Sequence, residues 1–340
     1  MTVRPYEPGM REAWQRFVMA SPTATMAHLI EWRDILLRAC GARPYYLVAL
    51  SNGGIEGVLP LSRVPSPIAK GRLVSMPYLT YGGICADNST ARDALLHAAS
   101  GLASAFDTSV ELRGGSGHLA NSCPRLDKAT LVLDISAEPA AVWEGFRTEI
   151  RNRVRKARRA GLDTLVGGRE CLADFFPVFC RRMRELGTPP HSYRFFDEIL
   201  KALPDARIML VRKNGTTLGG AVLCFFKDSV EVPWVACRSD ALWACPYHLL
   251  YWEAIVYSWQ RGVNQFDFGR STLDSGTFVF KKRWGAKPIM LPWQYIGGNG
   301  HRVPNGRPAG HLLVARELWK RLPLSATCLI GPILRRYLAE

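Results

Sequence analysis

Three things are scarce in this sequence of 340 residues: cysteines at regular spacing, long apolar runs and acidic side chains. The nine cysteines are scattered, with no C-x-x-C pair and no histidine at zinc spacing, which predicts reduced, mostly buried thiols and no metal site. No apolar run approaches the roughly 20 residues that a bilayer span needs, and the first residues lack the basic-then-apolar order of a signal peptide. We therefore expect a cytoplasmic protein without a transmembrane segment.

The shortage of acids leaves a strong positive charge. The chain has 44 Lys and Arg against 29 Asp and Glu, a net charge of +15. This balance favours polyanionic partners such as nucleic acid, nucleotide diphosphates or an anionic bilayer, without choosing among them. With 48% hydrophobic residues, the chain is long enough for one large domain or two ordinary ones with real cores.

Two similar hairpins divide the chain into two parts. Residues 45–61 and 208–226 each place two apolar runs around an Asn-Gly turn. Each hairpin is followed by a further strand, an amphipathic helix and a strand that closes in a polar turn; the helices are expected at about 91–106 and 246–261, and the closing strands at 110–116 and 266–271. We predict two α/β lobes, residues 1–135 and 136–300, with a seam near 134–139.

The chain after these lobes predicts a helical extension, residues 301–340. A loop rich in Pro, Gly and Asn starts at Gly300, and two helices are expected at 311–321 and 325–338, separated by Pro323. The second has an apolar face next to two cations, formed by Leu324, Leu329, Ile330, Ile333 and Leu334 with Arg335 and Arg336. We expect this face to dock on the body of the protein, with peripheral membrane contact as the alternative.

A basic helix is expected between residues 147 and 159, where seven of thirteen residues are cations. Phe146, Ile150, Val154 and Ala157 recur at helical spacing as a core face, and Gly161 stands where a C-terminal cap belongs. A purely solvated helix usually mixes its charges, so this one favours a phosphate-bearing ligand. The predicted phosphate- or tRNA-binding residues are Arg147, Arg151, Arg155, Lys156 and Arg159.

The segment 264–285 carries the densest chemistry. A buried strand ends in a polar turn at Gly269, and a block follows in which Phe280, Trp284 and Gly285 are interleaved with three cations. Strand ends with convergent polar groups are where α/β sheets place their active sites. Candidate ligands for phosphate or sugar are Arg270, Ser271, Ser275 and Thr277, with turn formation as their competing role. Trp32, Tyr81 and Trp284 are candidates for stacking on a sugar or base.

With these motifs in view, the chain resembles the FemAB/FemX-like family, and more narrowly the FemAB-like proteins associated with exosortase and exopolysaccharide systems. The segment 266–285 is the most specific part of the resemblance. Supporting motifs are spread along nearly the whole chain, at residues 28–33, 43–47, 57–61, 81–83, 151–161 and 322–324.

The resemblance implies tandem acetyltransferase-like (GNAT-like) lobes that move an acyl group, often an amino acid from a charged tRNA, onto an amine of a cell-envelope precursor. It places the pair Phe280-Lys281 at the reacting carbonyl. Aminolysis of an ester passes through a tetrahedral oxyanion, which a fixed ammonium and a backbone N–H stabilise. We expect the Lys281 ammonium to face an open pocket. Asp274 is a candidate proton acceptor, and Asp267 either binds substrate or holds the turn together.

The sequence departs from the family pattern in two places. The stretch before Leu249, where this branch is expected to have an Asn, reads Cys245-Pro-Tyr-His248, and the range 169–204 has room only for two ordinary helices rather than a coiled-coil arm. These departures put acceptor contacts in doubt and suggest fewer tRNA contacts.

Two other functions compete with aminoacyl transfer, and no tightly bound cofactor is expected under any of them. An acyl-CoA-dependent GNAT N-acyltransferase is the nearest, although residues 232–246 contain no glycine for a pyrophosphate loop. A non-catalytic nucleic-acid-binding protein is the second, motivated by the charge.

Overall fold

The computed structural model describes residues 1–66, 71–114, 124–296 and 310–338. The chain forms two compact units. The first begins with β1 Thr2–Pro5, α1 Arg11–Ala20, α2 Glu31–Cys40, β2 Arg43–Pro44, β3 Leu47–Ser51, β4 Gly54–Leu59, β5 Leu61–Val64, β6 Arg72–Ser75, β7 Cys85–Ala86, α3 Ser89–Ala105 and β8 Val110–Arg113.

The second unit contains the basic helix and the segment 264–285. Its elements are β9 Lys128–Asp134, α4 Pro139–Gly145, α5 Thr148–Arg159, β10 Leu162–Gly167, α6 Leu172–Glu185, α7 Tyr193–Ala202, β11 Arg207–Lys213, β12 Thr216–Phe226, β13 Ser229–Cys237, α8 Pro246–Gln260, β14 Gln265–Asp267, β15 Ser271–Thr272, α9 Gly276–Lys282 and β16 Lys287–Met290. Three elements follow in the chain: β17 Trp293–Ile296, α10 Gly310–Arg321 and α11 Leu324–Arg335.

The first unit contains two sheets. One is antiparallel, in the order β1-β3-β4-β7. The other has the order β17-β8-β6-β5-β2, and only its pair β6 and β8 is parallel. Asn88 caps the start of α3 by accepting a hydrogen bond from the backbone N–H of Ala91 at 2.8 Å. The small stripe Ala91, Ala99 and Ala103 of that helix is buried, which lets the helix backbone approach the sheet closely.

The second unit is organised around one eight-stranded sheet, in the order β10-β11-β12-β13-β14-β9-β15, with β16 also paired to β9. Strands β10 to β13 form an antiparallel meander. Strand β14 is parallel to β13, and the whole of α8 lies between them in the chain. Helices α5, α6 and α8 pack on this sheet through apolar faces.

Both predicted hairpins are present. Strands β11 and β12 are joined by Asn214 and Gly215, which have φ values of 49° and 75°; this left-handed pair matches the right-handed twist of the strands. Strands β3 and β4 form the first hairpin. In each unit a helix then joins two parallel strands, α3 before β8 and α8 before β14. The α/β prediction of similar lobes with antiparallel hairpins is confirmed.

The division between the units falls between Asp127 and Lys128, a few residues before the expected seam. Strand β9 lies in the sheet of the second unit because its backbone pairs with β14, β15 and β16. The first unit also takes β17 and the chain end from Ile333, while α10 and most of α11 belong to the second.

The two helices of the C-terminal extension are present, but the expected docking of the apolar face of α11 is wrong. Its buried residues are Thr327 and Gly331, whereas Leu329 and Ile333 are exposed. A Cβ atom at Gly331 would lie 2.5 Å from Pro190, so the helix packs through its smallest residue. The predicted loop from Gly300 lies outside the described residues, as do residues 115 and 116 of the first closing strand.

Candidate functional site

The turn after β14 is held by a buried carboxylate. Asp267 Oδ1 accepts hydrogen bonds from the backbone N–H of Gly269 at 2.7 Å and from the Thr130 hydroxyl. Gly269 has φ +75°, and a Cβ there would lie 2.8 Å from the Val232 carbonyl oxygen, so the turn needs glycine. Of its two predicted roles, the structure places Asp267 in the one that holds the turn.

The Lys281 side chain holds the same turn by hydrogen bonds to its backbone. Its ammonium donates hydrogen bonds to the carbonyl oxygens of Gly269 at 2.7 Å and Arg270 at 3.1 Å, and the residue is 7% exposed. The expectation that this ammonium faces an open pocket is wrong, because α9 turns the side chain inward beneath the turn. Two of its three N–H donors are engaged by these carbonyls, which leaves one for another acceptor.

Burial makes the Lys281 ammonium easier to deprotonate. Desolvation lowers the pKa of this ammonium to about 8, while the carboxylates of Asp267 and Glu231 oppose the shift and Arg270 adds to it. Glu231 and Asp267 stand opposite each other on the parallel strands β13 and β14. A cation and two carboxylates therefore share a largely buried region at the end of β14, which is typical of catalytic sites.

An aromatic cluster packs around Phe280 and Trp284. The His248 ring lies 5.2 Å from that of Phe280, edge to face, and 6.0 Å from that of Trp284, nearly parallel to it. Tyr251 contributes a ring 5.8 Å from Phe280 and 6.0 Å from Trp284. Phe280 and Trp284 thus pack together against α8. Trp284 is 1% exposed.

Three buried polar atoms in this region have no hydrogen-bond partner within the described ranges. They are His248 Nδ1, Ser271 Oγ and Trp284 Nε1. Leaving a buried donor or acceptor unpaired costs about 1–3 kcal/mol, so each of these atoms indicates a group kept for a ligand or for water. His248 was not among the predicted site residues; the available signal was the departure from the family pattern at Cys245-Pro-Tyr-His248.

His248 is neutral at physiological pH. Desolvation, with a smaller contribution from the Arg153 guanidinium of the basic helix, lowers the pKa of the imidazole to about 4. A neutral imidazole has one donor and one acceptor nitrogen. This side chain therefore serves as a hydrogen-bonding group rather than a positive charge.

The loop between β15 and α9 places the other predicted polar residues at the helix start. The Ser275 hydroxyl donates to the Thr272 carbonyl at 2.7 Å and accepts from the Phe278 N–H at 3.3 Å, as an N-cap does. Thr277 contacts the same hydroxyl at 3.0 Å. Asp274 is exposed, with φ +58°. Ser275 thus fills the competing role of turn formation, and Asp274 remains accessible to solvent.

The predicted stacking aromatics are divided between the two units. Trp32 is fully buried in the first unit, and its indole N–H donates to the Met26 carbonyl at 3.0 Å. It offers no free ring face, so the predicted stacking role is wrong for Trp32, which is a core residue. Tyr81 is half-buried in the same unit. Trp284 lies in the second unit beside Phe280 and is also fully buried, so its predicted stacking on a sugar or base is wrong as well.

The basic helix is α5, as predicted, with Ile150, Val154 and Ala157 buried. Some of its cations are neutralised: Arg151 pairs with Glu144, Arg153 with Glu149 at 2.9 Å, and Arg158 with Glu253 of α8 at 2.8 Å. In the described parts of the chain, Arg147, Lys156 and Arg159 are exposed and form no ion pair, and Arg155 lies 5.6 Å over the Trp143 ring. The free positive face is therefore narrower than the sequence indicated.

The basic helix adjoins the aromatic cluster. Glu149 of α5 also contacts Arg283, which follows α9, at 3.4 Å. The partial neutralisation by Glu149 and the field of Arg153 both act on His248. Arg153 and Glu149 of the basic helix consequently lie in the same region of the second unit as His248.

Comparison with known proteins identifies this region. Residues 144–282 match the family model of the acetyltransferase (GNAT) domain. This part of the chain is similar to a GNAT domain. The matched residues contain the basic helix, His248, the Asp267 turn and Lys281. The match supports an acyltransferase activity. No curated protein matches the chain.

Solved structures share the fold over most of the chain. FemX superposes with a TM-score of 0.66 at 16% identity, covering 87% of this chain and 97% of FemX. L-PGS from Bacillus licheniformis gives 0.58 at 12% identity, covering 94% and 99%. A tandem GNAT protein from the clavulanic acid biosynthesis pathway gives 0.55 at 12% identity, covering 86% and 97%. The predicted FemX-like fold of GNAT type is confirmed; the exosortase-associated branch stays a prediction.

A search of the described helices finds none that is long and apolar enough to cross a membrane.

Proposed function

We propose that this protein is a FemAB-like acyltransferase that forms an amide bond, moving an aminoacyl or acyl group onto an amine of a cell-envelope or exopolysaccharide precursor. The observation that carries the proposal is that residues 144–282, which match the GNAT domain, include the buried polar side chains of Lys281, His248 and Ser271. Trp284, just after this range, stacks on His248. Buried polar groups without partners are costly to a fold. A site that binds a carbonyl and an amine would satisfy them.

In this proposal Lys281 acts by position and charge. It fixes the Gly269–Arg270 turn through two carbonyls, and its remaining N–H and positive charge favour an oxyanion that forms nearby. The Trp284 indole N–H and the Ser271 hydroxyl are further buried donors. Phe280 packs against His248 and shapes the wall beside them.

Removing a proton from the incoming amine requires only a weak base in the protein. An incoming ammonium must lose a proton before it attacks, and Asp274 is exposed and can receive it. His248 accepts a hydrogen bond from an amine, but its low pKa makes it a weak base. The amine nitrogen then bonds to the acyl carbon, the C–O or C–S bond to the donor breaks, and the donor leaves as its hydroxyl or thiol after taking up a proton. For such an activated ester or thioester, positioning supplies much of the acceleration.

An anionic donor fits the cations of α5. Arg147, Arg155, Lys156 and Arg159 are exposed, and Arg151 is half-buried beside Glu144. Charged tRNA presents phosphates that such a face binds, with a strong dependence on salt. Arg270, Ser271 and Thr277 remain proposed contacts for the substrate.

An acyl-CoA donor is the second candidate, and one structural feature favours it. Strand β13 pairs with β14 over Ser229–Glu231 and, among the strands that the structure describes, has no partner on that side from there to Cys237; α8 then begins at Pro246. A strand that diverges from its parallel neighbour before a helix N-terminus is a suitable place for a phosphate-bearing cofactor.

A donor competition separates the candidates. The full chain is incubated with an amine acceptor and either radiolabelled acetyl-CoA or tRNA charged with a labelled amino acid. Aminoacyl transfer predicts label on the acceptor only from tRNA. Transfer only from acetyl-CoA would replace the first candidate by the second. RNA binding without any turnover, unaffected by Lys281→Ala but lost in Arg155→Ala, would overturn both in favour of a nucleic-acid-binding protein.

A further inference from the structure

Helix α11 is turned with its apolar side outward. Its buried positions are Thr327 and Gly331, while Leu329 is 74% and Ile333 is 51% exposed. Helices on a protein surface normally direct such residues inward and polar ones outward. The close approach of Gly331 to Pro190 holds the helix in this orientation.

The inversion extends over the whole C-terminal segment. In the described part of the chain 21 large hydrophobic residues are exposed, and nine of them lie between Leu313 and Leu338. On α10, Val314 and Leu318 are exposed at helical spacing while Trp319 is buried. Such a concentration marks an interaction surface rather than the scattered apolar residues of an ordinary surface.

The charge of this segment indicates what covers it. Residues 310–338 contain five cations and one acid, Glu317, which pairs with Lys320 at 2.6 Å. Arg321 and Arg336 are exposed and have no ion pair with any described residue. A second copy would bring the same cations against these, which costs free energy, whereas an anionic surface complements them.

We propose that α10 and α11 bind an anionic lipid bilayer, each lying in the plane of the interface. Each helix has 12 residues, about 18 Å at 1.5 Å per residue, and is too short to span a bilayer. Apolar side chains such as Leu329 and Ile333 enter the boundary between headgroups and acyl chains, and Arg321 and Arg336 contact lipid phosphates. This goes beyond the acyl-transfer reaction and does not depend on it.

The test is vesicle flotation of the full chain. We expect binding to phosphatidylcholine mixed with phosphatidylglycerol and little binding to phosphatidylcholine alone. The double variant Leu329→Asp/Ile333→Asp should lose about tenfold or more in affinity, and Arg321→Glu/Arg336→Glu about fivefold per cation. The matched control is Leu242→Asp, which changes an exposed leucine (41%) outside the segment and should bind like the unchanged protein.

Three results would overturn the proposal. One is absence of binding to anionic vesicles by the folded wild-type chain. Another is equal loss in Leu242→Asp. The third is a wild-type dimer, detected by light scattering, that Leu329→Asp/Ile333→Asp dissociates, since the surface would then belong to a second copy. Because both leucine variants change exposed residues, their circular dichroism should match that of the wild type.

Discussion

Each unit buries a cation at the end of the parallel strand that follows its helix, but the two cations are neutralised differently. In the first unit Arg113, which ends β8, is fully buried; it donates to Glu111 at 2.8 Å and lies 4.2 Å over the Trp293 ring. In the second unit Lys281 lies under the turn after β14 and donates only to carbonyl oxygens among its described contacts. An arginine beside its carboxylate is a structural pair, whereas a lysine with a lowered pKa is suited to chemistry.

Removing the Lys281 ammonium should have the largest effect on activity. We expect Lys281→Met to lower kcat/KM by about 10²–10³-fold, the loss typical for one donor to an oxyanion. Lys282→Met is the matched control, since Lys282 is the exposed neighbour on the same helix, and it should keep nearly full activity. A folded Lys281→Met protein with wild-type kcat/KM would show that the buried lysine is structural, like Arg113.

Breaking the pair in the first unit should affect stability instead. Arg113→Leu leaves the buried Glu111 carboxylate paired with Arg72 at 3.3 Å, and should cost about 3 kcal/mol in the free energy of unfolding. Urea denaturation measures this loss. The control is Arg92→Ala, which removes the surface ion pair of Arg92 with Asp93 at 3.1 Å and should cost less than about 1 kcal/mol. The specific activity of folded Arg113→Leu should stay unchanged; a selective loss of activity would contradict the comparison.

The lability of the Lys281 charge can be tested by pH. The ammonium has a pKa of about 8 in the folded protein and 10.5 as its ordinary value, so between these values the unfolded chain binds more protons and stability rises with pH. Relative to Lys281→Met, wild type should therefore gain stability from pH 8 to pH 10, measured by urea denaturation. If the ammonium is the active form, kcat/KM should fall above pH about 8. A pH-independent difference in stability would refute the lowered pKa.

The smallest expected effect concerns His248. His248→Phe keeps a ring against Phe280 and Trp284 and removes the unpaired Nδ1, so it should stabilise the protein by about 1 kcal/mol at pH 7 while lowering turnover. The difference in stability between this variant and wild type should widen as pH falls from 6.5 toward 4. Over this range the imidazole binds a proton in the unfolded wild-type chain but stays neutral in the folded one. Thermal unfolding at both pH values measures it. Lower stability with intact turnover would make His248 an ordinary core residue.

Local patterns predicted much of the fold. The hairpins, the basic helix, α8 and the turn-holding role of Asp267 follow from turn residues, periodicity and capping, which act over short stretches of chain. The direction of the Lys281 side chain could not be predicted from such patterns, because it depends on where the Gly269 turn meets α9 in the folded protein. His248 was missed because α8 is apolar on nearly every side, so one polar residue gives no periodic signal. Periodicity located the apolar face of α11 but not which face the protein covers.

The position of β9 has a consequence for how the chain acquires its structure. This strand comes first in the second unit, yet Val132 pairs with Asp267 and Leu131 with Pro288. During synthesis β9 leaves the ribosome long before β14, β15 and β16, so it has no pairing partner until nearly the whole unit has emerged. Such non-local pairing slows folding and leaves an apolar strand edge open to other chains. A nascent chain stopped before Gln265 would therefore need protection that the finished protein does not.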